Sequence, residues 1–271
     1  MPKFSCYYSQ KSKKKFNLLE DLSLLRGDED SYPIINEIPR FVDSNNYARD
    51  FGLQWNKFSK TQLDSNTGEP ISEDRLRRCM RGSLESLEGK TILEAGSGAG
   101  RFTEVLLKYS GIVHSFDLSN AVEANMINNG NKDNIEIAQV DILNMPYREC
   151  SYDYVICLGV LQHTPSPEKS IENLWKMVKP GGHLIFDHYR FKWRHFLPPP
   201  IGIAGPLYRY FILSLEPSTR IKWIRKIVTF WYPIHWIFRK SKFSQRLLRR
   251  LSPVHFYYGQ IPIYSREELY E

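Results

Sequence analysis

Cysteine is scarce in this chain, long apolar runs are missing, and each shortage closes off a class of protein. Cys6, Cys79, Cys150 and Cys157 are the only cysteines among 271 residues, and no two stand at C-x-x-C spacing. Neither a zinc knuckle nor a dithiol redox motif is therefore supported. A reduced, cytosolic chain is the expectation, with Cys157 a small buried hydrophobe inside an apolar strand. No run of about 18 apolar residues occurs, so no membrane-spanning helix is expected. Lys11, Lys13, Lys14 and Lys15 have no apolar segment behind them, so a secretory leader is not expected either. Hydrophobic residues make up 42% of the chain, enough to bury a sizeable core and to exclude global disorder.

Acidic residues are scarce in one region only. Between positions 190 and 250 fourteen Lys/Arg stand against Glu216 alone, while the rest of the chain carries 23 basic and 29 acidic residues. The formal charge of +7 thus belongs to an acidic body with one basic, aromatic insert.

Regular patterning is absent from residues 1 to about 40. Within Tyr32-Pro-Ile-Ile-Asn-Glu-Ile-Pro-Arg-Phe41, the prolines at 33 and 39 predict an extended segment. From 47 to 60, Phe51, Trp55 and Phe58 fall near helical spacing, as in an amphipathic helix or lid. Residues 72–81 read as a short helix with Ser72 as N-cap and acids in its first turn. The pattern then becomes regular. Short apolar runs at 91–95, 111–117, 135–140, 152–158 and 183–187 are separated by helix-like stretches at 102–109, 121–128 and 168–178. Strands alternating with helices predict an α/β fold with a parallel, doubly wound sheet.

The segment Leu93-Glu-Ala-Gly-Ser-Gly-Ala-Gly-Arg-Phe102 closes the first strand of this series and opens a helix. Gly96, Gly98 and Gly100 permit a tight turn there and let a ligand approach the backbone at a helix N-terminus. Asp117 ends the second strand, about 20 residues on, where a carboxylate can accept from a ribose diol. The bland alternative is that Asp117 caps the next helix. Asp141 ends the third strand, on the same ligand-binding edge.

Taken in order, Glu94-x-Gly-x-Gly-x-Gly100, Asp117, Asp141, Tyr152-Asp-Tyr-Val-Ile-Cys-Leu-Gly159 and Val178-Lys-Pro-Gly-Gly-His-Leu184 resemble the motifs of class I S-adenosylmethionine (SAM)-dependent methyltransferases. The resemblance covers about residues 88–190 and is nearest to the quinone-biosynthesis-like branch, which acts on small molecules. It implies a Rossmann-like sheet of order 3-2-1-4-5 and SAM as cofactor. Gly96, Ser97, Gly98 and Gly100 would contact the methionine moiety. Asp117, followed by Leu118, would hold the ribose, and Asp141 and Ile142 the adenine. Leu158 and Gly159 would floor the site, and Glu94 would organise the loop and the cofactor ammonium. A nicotinamide enzyme is the runner-up for the fold. Its usual G-x-G-x-x-G places the third glycine one position later, where this chain has Arg101, and a phosphate-free cofactor suits the spacing better.

A hydroxyl acceptor would call for a base. His163, after the fourth strand, is the first candidate, and His188 and Tyr189, after the fifth, follow. A histidine that only shapes the pocket is the alternative for His163. The stretch 32–41 also resembles the end of a zinc-ribbon module, here metal-free or degenerate because only Cys6 lies upstream. The division expected is 1–45 as an N-terminal extended segment, 46–190 as the SAM-binding core with N-terminal lid helices, and 191–271 as a helical basic and aromatic cap.

That cap has several readings: a lid over an apolar or anionic substrate, a packed cap with a solvated basic face, peripheral membrane contact through 191–250, or RNA binding. The last lacks a recognisable module, so nucleic acid is the least favoured partner. The expected acceptor is a small-molecule, lipid-linked or glycan precursor, and the expected location is cytoplasmic, extending to the inner face of the membrane if the cap touches lipid. The two strands that usually form a terminal hairpin are not legible after 187; Ser265-Arg-Glu-Glu268 reads instead as a capping box opening a helix. A non-catalytic SAM-binding or scaffold protein is the alternative this raises.

Overall fold

A computed structural model describes residues 4–19, 23–43, 46–188, 197, 204–238 and 241–253. The chain forms two compact units, Met1–Tyr189 and Arg190–Glu271.

The first unit opens with a small antiparallel sheet of strands β1 (Asn17–Leu18), β2 (Leu24–Arg26), β3 (Ser31–Ile35) and β4 (Ile38–Pro39), in that order. The stretch 32–41, expected to be simply extended, is therefore a hairpin. Its turn residues Asn36 and Glu37 both adopt positive φ, 52° and 63°, the conformation a two-residue type I′ connection demands. The resemblance of this stretch to a zinc-ribbon, expected here without metal, finds no support among known proteins, and among the described residues no three His, Cys, Asp or Glu side chains gather where a metal could sit. Phe4, Tyr7, Phe16, Leu25 and Phe41 instead enter the same apolar cluster as Leu93, Phe116, Val155 and Cys157. Arg40, itself buried, ties the hairpin to the main sheet by donating to Gln139 Oε1 at 3.2 Å and pairing with Glu123.

Three helices follow, α1 (Arg49–Lys57), α2 (Asp64–Thr67) and α3 (Ile71–Met80). Ser72 is not the N-cap of α3 but lies inside its first turn. The Asp64 carboxylate takes over that role, accepting from the N–H groups of Ser72 at 2.8 Å and Glu73 at 2.9 Å. A side chain eight residues upstream caps the helix, which no local spacing rule anticipates.

The main sheet comprises β5 (Thr91–Ala95), β6 (Ile112–Asp117), β7 (Ile135–Gln139), β8 (Tyr152–Cys157) and β9 (Val178–Phe186). All neighbours are parallel and the order is β7-β6-β5-β8-β9, which is the expected 3-2-1-4-5. Helices α4 (Arg101–Tyr109), α5 (Val122–Asn129) and α6 (Pro167–Met177) connect the strands. The sheet is buried on both faces, as a parallel sheet requires. Ile92, Phe102, Val105, Leu106 and Ile156 pack on one side, and Leu93, Phe116, Val155, Leu174 and Met177 belong to the other cluster. One boundary differs from expectation. Strand β9 begins at Val178, not at 183, because Lys179-Pro-Gly-Gly182 is a bulge within it: Tyr152 pairs with Val178 but Tyr154 with His183. Gly181 takes φ +80°, and a Cβ on Gly182 would lie 2.8 Å from the Asp153 carbonyl oxygen, so glycine is needed at both.

The second unit contains α7 (Gly205–Ser214), α8 (Pro217–Ile237) and α9 (Lys242–Leu251). The capping box at 265–268 and Tyr189 lie outside the described residues.

Candidate active site

The C-terminal ends of β5, β6, β7 and β8 form one edge, and the glycine loop rises from the middle of it. Gly96, Gly98 and Gly100 have φ of 77°, 54° and 92°, which only glycine adopts without strain. Two of them have no room for a side chain. A Cβ on Gly96 would stand 2.2 Å from Val160 Cγ2, and one on Gly100 would stand 2.2 Å from Asn125 Oδ1 and 2.3 Å from Asn129 Nδ2.

The loop is tied down by its own N–H groups. Gly96 and Ser97 both donate to the Phe116 carbonyl at 2.8 and 3.0 Å, Gly100 donates to Ser97 at 3.0 Å, and Gly98 donates to Asp117 Oδ2 at 2.9 Å. A pyrophosphate would need such groups free at the helix N-terminus. The four engaged here belong to the loop and not to the first turn of α4.

Asp117 is the hub of this edge. Its Oδ1 accepts from both the N–H and the hydroxyl of Ser119, at 2.8 and 2.7 Å, so Oδ1 has both lone pairs committed while Oδ2 retains one. The capping alternative is thus met in part: the carboxylate braces the turn toward α5 and the glycine loop together. Burial raises the Asp117 pKa above its ordinary value, and the three donors oppose that rise. Asp141 Oδ1 accepts from Leu143 N–H at 2.9 Å and caps a 3₁₀ turn, Ile142–Asn144, in which Ile142 is buried. The Tyr47 pKa is raised first by burial and then by the charges of Asp141 and Asp117.

Beneath the loop lies a buried polar network that sequence reasoning missed apart from Glu94. Glu94 Oε2 accepts from Thr103 at 2.5 Å and Ser115 at 2.8 Å; Asn125 donates to both hydroxyls, and Asn129 donates to Asn125 and to the Gly100 carbonyl. The chain connects β5, β6, α4 and α5 to the loop through side chains alone. Its signal was visible as Thr103, Asn125 and Asn129 on otherwise apolar helix faces. Glu94 Oε1 is buried with no partner among the described residues.

Burial pushes the Glu94 carboxyl up to about 7 from its ordinary 4.5. It also holds His114, whose Nδ1 lies 2.8 Å from the Tyr152 hydroxyl, down to about 4 from 6.5. The two act on stability in opposite directions. Glu94 binds its proton more tightly when folded, so its contribution is complete below about pH 4.5 and is lost as pH rises through 7. The His114 contribution is complete above about 6.5 and is lost as pH falls through 4. Each is worth on the order of 3 kcal/mol, and their slopes oppose one another across the shared window. Glu94→Gln should remove one slope and expose the other. Urea midpoints of the variant are expected to climb steeply from pH 4.5 to 6.5, where the wild-type profile is flatter. Parallel profiles would contradict this.

On the other side of β5, Leu158 is buried and Gly159 takes φ +77°. The Gly159 N–H donates to Asp187 Oδ1 at 2.5 Å, and Arg75 on α3 donates to Asp187 Oδ2 at 2.5 Å. Sequence reading passed over Asp187 for its neighbour His188, which is exposed at the end of β9. Asp187→Ala is expected to weaken cofactor binding about tenfold by releasing Gly159 and leaving Arg75 uncompensated. Calorimetric titration with SAM checks it, and unchanged affinity would count against this role.

Helix α1 crosses this edge. Gly52 and Asn56 meet Asn120, the latter by donating to its carbonyl at 2.9 Å; Trp55 lies against Gly98; and the Phe51 ring is 5.2 Å from that of His163. His163 is itself exposed, on a 3₁₀ turn (Leu161–His163) just past β8. Next to it, Gln162 has both amide atoms buried with no partner among the described residues.

The sheet order, the left-handed glycine loop, the acid ending β6 and the acid just past β7 give this unit the Rossmann-like architecture of class I SAM-dependent methyltransferases. Comparison with known proteins agrees: residues 93–186 match the family described as the methyltransferase domain. A ubiquinone biosynthesis O-methyltransferase of Alkalilimnicola ehrlichii is 31% identical over 169 residues, covering 57% of this chain and 60% of that protein. One of Coxiella burnetii is 28% identical over 121 residues, covering 43% and 51% respectively. This chain thus spans about half the length of the curated relatives it matches. Among solved structures, the N-methyltransferase NodS of Bradyrhizobium japonicum, in complex with S-adenosyl-L-homocysteine, is 30% identical; the match covers 43% of this chain and 61% of that one at a TM-score of 0.39.

Proposed function

We propose that the chain transfers the methyl group of SAM to a hydroxyl on a small-molecule or lipid-linked acceptor. The observation that carries the cofactor is the glycine loop closed onto Asp117, beside a second carboxylate at Asp141 and above Glu94 Oε1, which has no partner among the described residues. The hydroxyl as acceptor is supported by the relatives' O-methyltransferase names. Gly96, Ser97, Gly98 and Gly100 would hold the methionine moiety, with Glu94 beneath them. Asp117 and Leu118 would hold the ribose through the free lone pair of Oδ2, and Asp141 and Ile142 the adenine. Leu158 and Gly159 would form the floor.

When bound, SAM supplies an electrophilic methyl on a sulfonium, so the protein's own task is to orient the acceptor, exclude water and receive a proton. Helix α1 is positioned to exclude water. A ring nitrogen of His163 would receive the proton of the acceptor hydroxyl. His188 and Tyr189 are the next candidates. The location that accompanies this reading is the cytoplasm, at or near the inner face of the membrane. The test is label transfer from methyl-tritiated SAM to a panel of hydroxylated aromatic and lipid-linked acceptors. His163→Ala is expected to lower kcat by about 100-fold while leaving SAM affinity within twofold. Equal loss of both would make His163 a structural residue. Tight SAM binding without transfer to any acceptor would favour the scaffold alternative.

A further inference from the structure

The second unit exposes the residues that a compact helical cap would bury. Among the described residues, contacts that join its helices include Trp231 Nε1 donating to the Tyr208 hydroxyl at 3.0 Å, Phe211 meeting Trp223 edge-on at 5.3 Å, His235 lying 2.7 Å from the Ser252 hydroxyl and Ala204 N–H donating to the Arg250 carbonyl at 2.7 Å. Among its buried residues are Ala204, Val228, His235, Leu248 and Ser252. On α8, Val228 and His235 are seven residues apart and mark one side. Trp223, Phe230 and Ile237, also at seven-residue steps, fall on the opposite side of the helix; Phe230 is 64% exposed and Ile237 70%. On α7, Leu207, Tyr210 and Leu213 repeat the pattern at three-residue steps, and all three are exposed. On α9, Phe243, 79% exposed, and Leu247 share a face with the exposed Arg246.

Cations are interleaved with these side chains. Lys222 and Lys226 flank the α8 stripe, the latter with its ammonium 4.7 Å from the Trp223 ring centroid, and the region from 190 to 250 holds fourteen Lys/Arg against one acid. Among the described residues no helix is long and apolar enough to cross a membrane. Aromatic and aliphatic stripes flanked by cations, on helices that cannot span, match what an anionic lipid surface requires: apolar side chains sink to the acyl boundary while lysine and arginine stay among the headgroups. Nucleic acid would use the cations and could stack on the rings, but it offers no phase for Leu207, Leu213, Ile237 and Leu247.

We infer that α7, α8 and α9 form an interfacial docking surface for an anionic lipid bilayer. This goes beyond the methyltransferase reading and does not depend on it. The test is sedimentation of the full chain with vesicles of phosphatidylcholine alone or mixed with phosphatidylglycerol, alongside its retention on immobilised single-stranded RNA. The chain should bind the mixed vesicles, bind phosphatidylcholine at least about tenfold more weakly, and lose affinity as salt is raised. Ile237→Ser with Phe243→Ser should weaken vesicle binding at least about tenfold with the circular dichroism spectrum unchanged. Lys222→Gln with Arg246→Gln should remove the preference for the anionic lipid. Failure of the folded chain to bind mixed vesicles, indifference to both pairs of substitutions, or tighter retention on RNA than on vesicles would overturn the inference.

Discussion

Gly100→Ala is expected to destabilise the first unit by about 3 kcal/mol and to abolish measurable SAM binding. Two causes add. The residue sits at φ +92°, and its new Cβ would collide with the amide groups of Asn125 and Asn129. Those amides cannot retreat without cost. Asn129 holds the Gly100 carbonyl at 3.1 Å, and Asn125 supports Thr103 and Ser115, which in turn hold Glu94. Moving either would leave buried polar groups unpaired. Gly68→Ala separates the two causes, because Gly68 has φ +71° and a Cβ added there would meet nothing within 4 Å. That variant should lose only about 1 kcal/mol and bind SAM normally. Urea denaturation with calorimetric titration checks both, and equal losses in the two variants would show that the network is not what holds the loop.

Asp117→Ala should weaken SAM binding about 100-fold. The substitution removes the proposed ribose acceptor and also releases Gly98 and Ser119, so the loop loses a brace as the ligand loses a partner. Asp117→Asn is expected to be nearly as damaging, although its shape is the same. Its single carbonyl can serve Ser119, but the amide nitrogen would then point a donor at the Gly98 N–H. Acid should act in the same direction as these substitutions. Burial raises the Asp117 pKa, so the carboxylate takes up its proton at a higher pH than its ordinary 3.8, and SAM affinity should begin to fall before that value is reached. Thermal stability measured alongside distinguishes lost contacts from a lost fold. An Asp117→Asn chain that binds as the wild type does would contradict the role given to the Gly98 bond.

The main sheet was legible because its strands are short apolar runs ended by glycine or acid, and burial on both faces leaves no competing period. The glycine loop and the positions of Asp117 and Asp141 followed from the same regularity, since strand ends fix a sheet edge. What the sequence hid was carried by partners distant along the chain. Asp64 caps α3 from eight residues upstream, Arg75 meets Asp187 across 112 residues, and Glu94 reaches Thr103 and Ser115 on different elements. The hairpin at 32–41 escaped because Asn36-Glu37 lacks the glycine that usually marks such a turn. Asp187 was overlooked because its neighbour His188 has the more familiar catalytic side chain, whereas geometry gives the carboxylate the contact with Gly159.

The loop at residues 96–100, closed on Asp117, is proposed as a SAM site. The measurement that tests it most directly is calorimetric titration of the full chain with SAM, beside Asp117→Ala. The prediction is saturable one-to-one binding that the substitution weakens about 100-fold without unfolding the protein. Absence of binding by the folded wild-type chain, or the same affinity in both proteins, would contradict it.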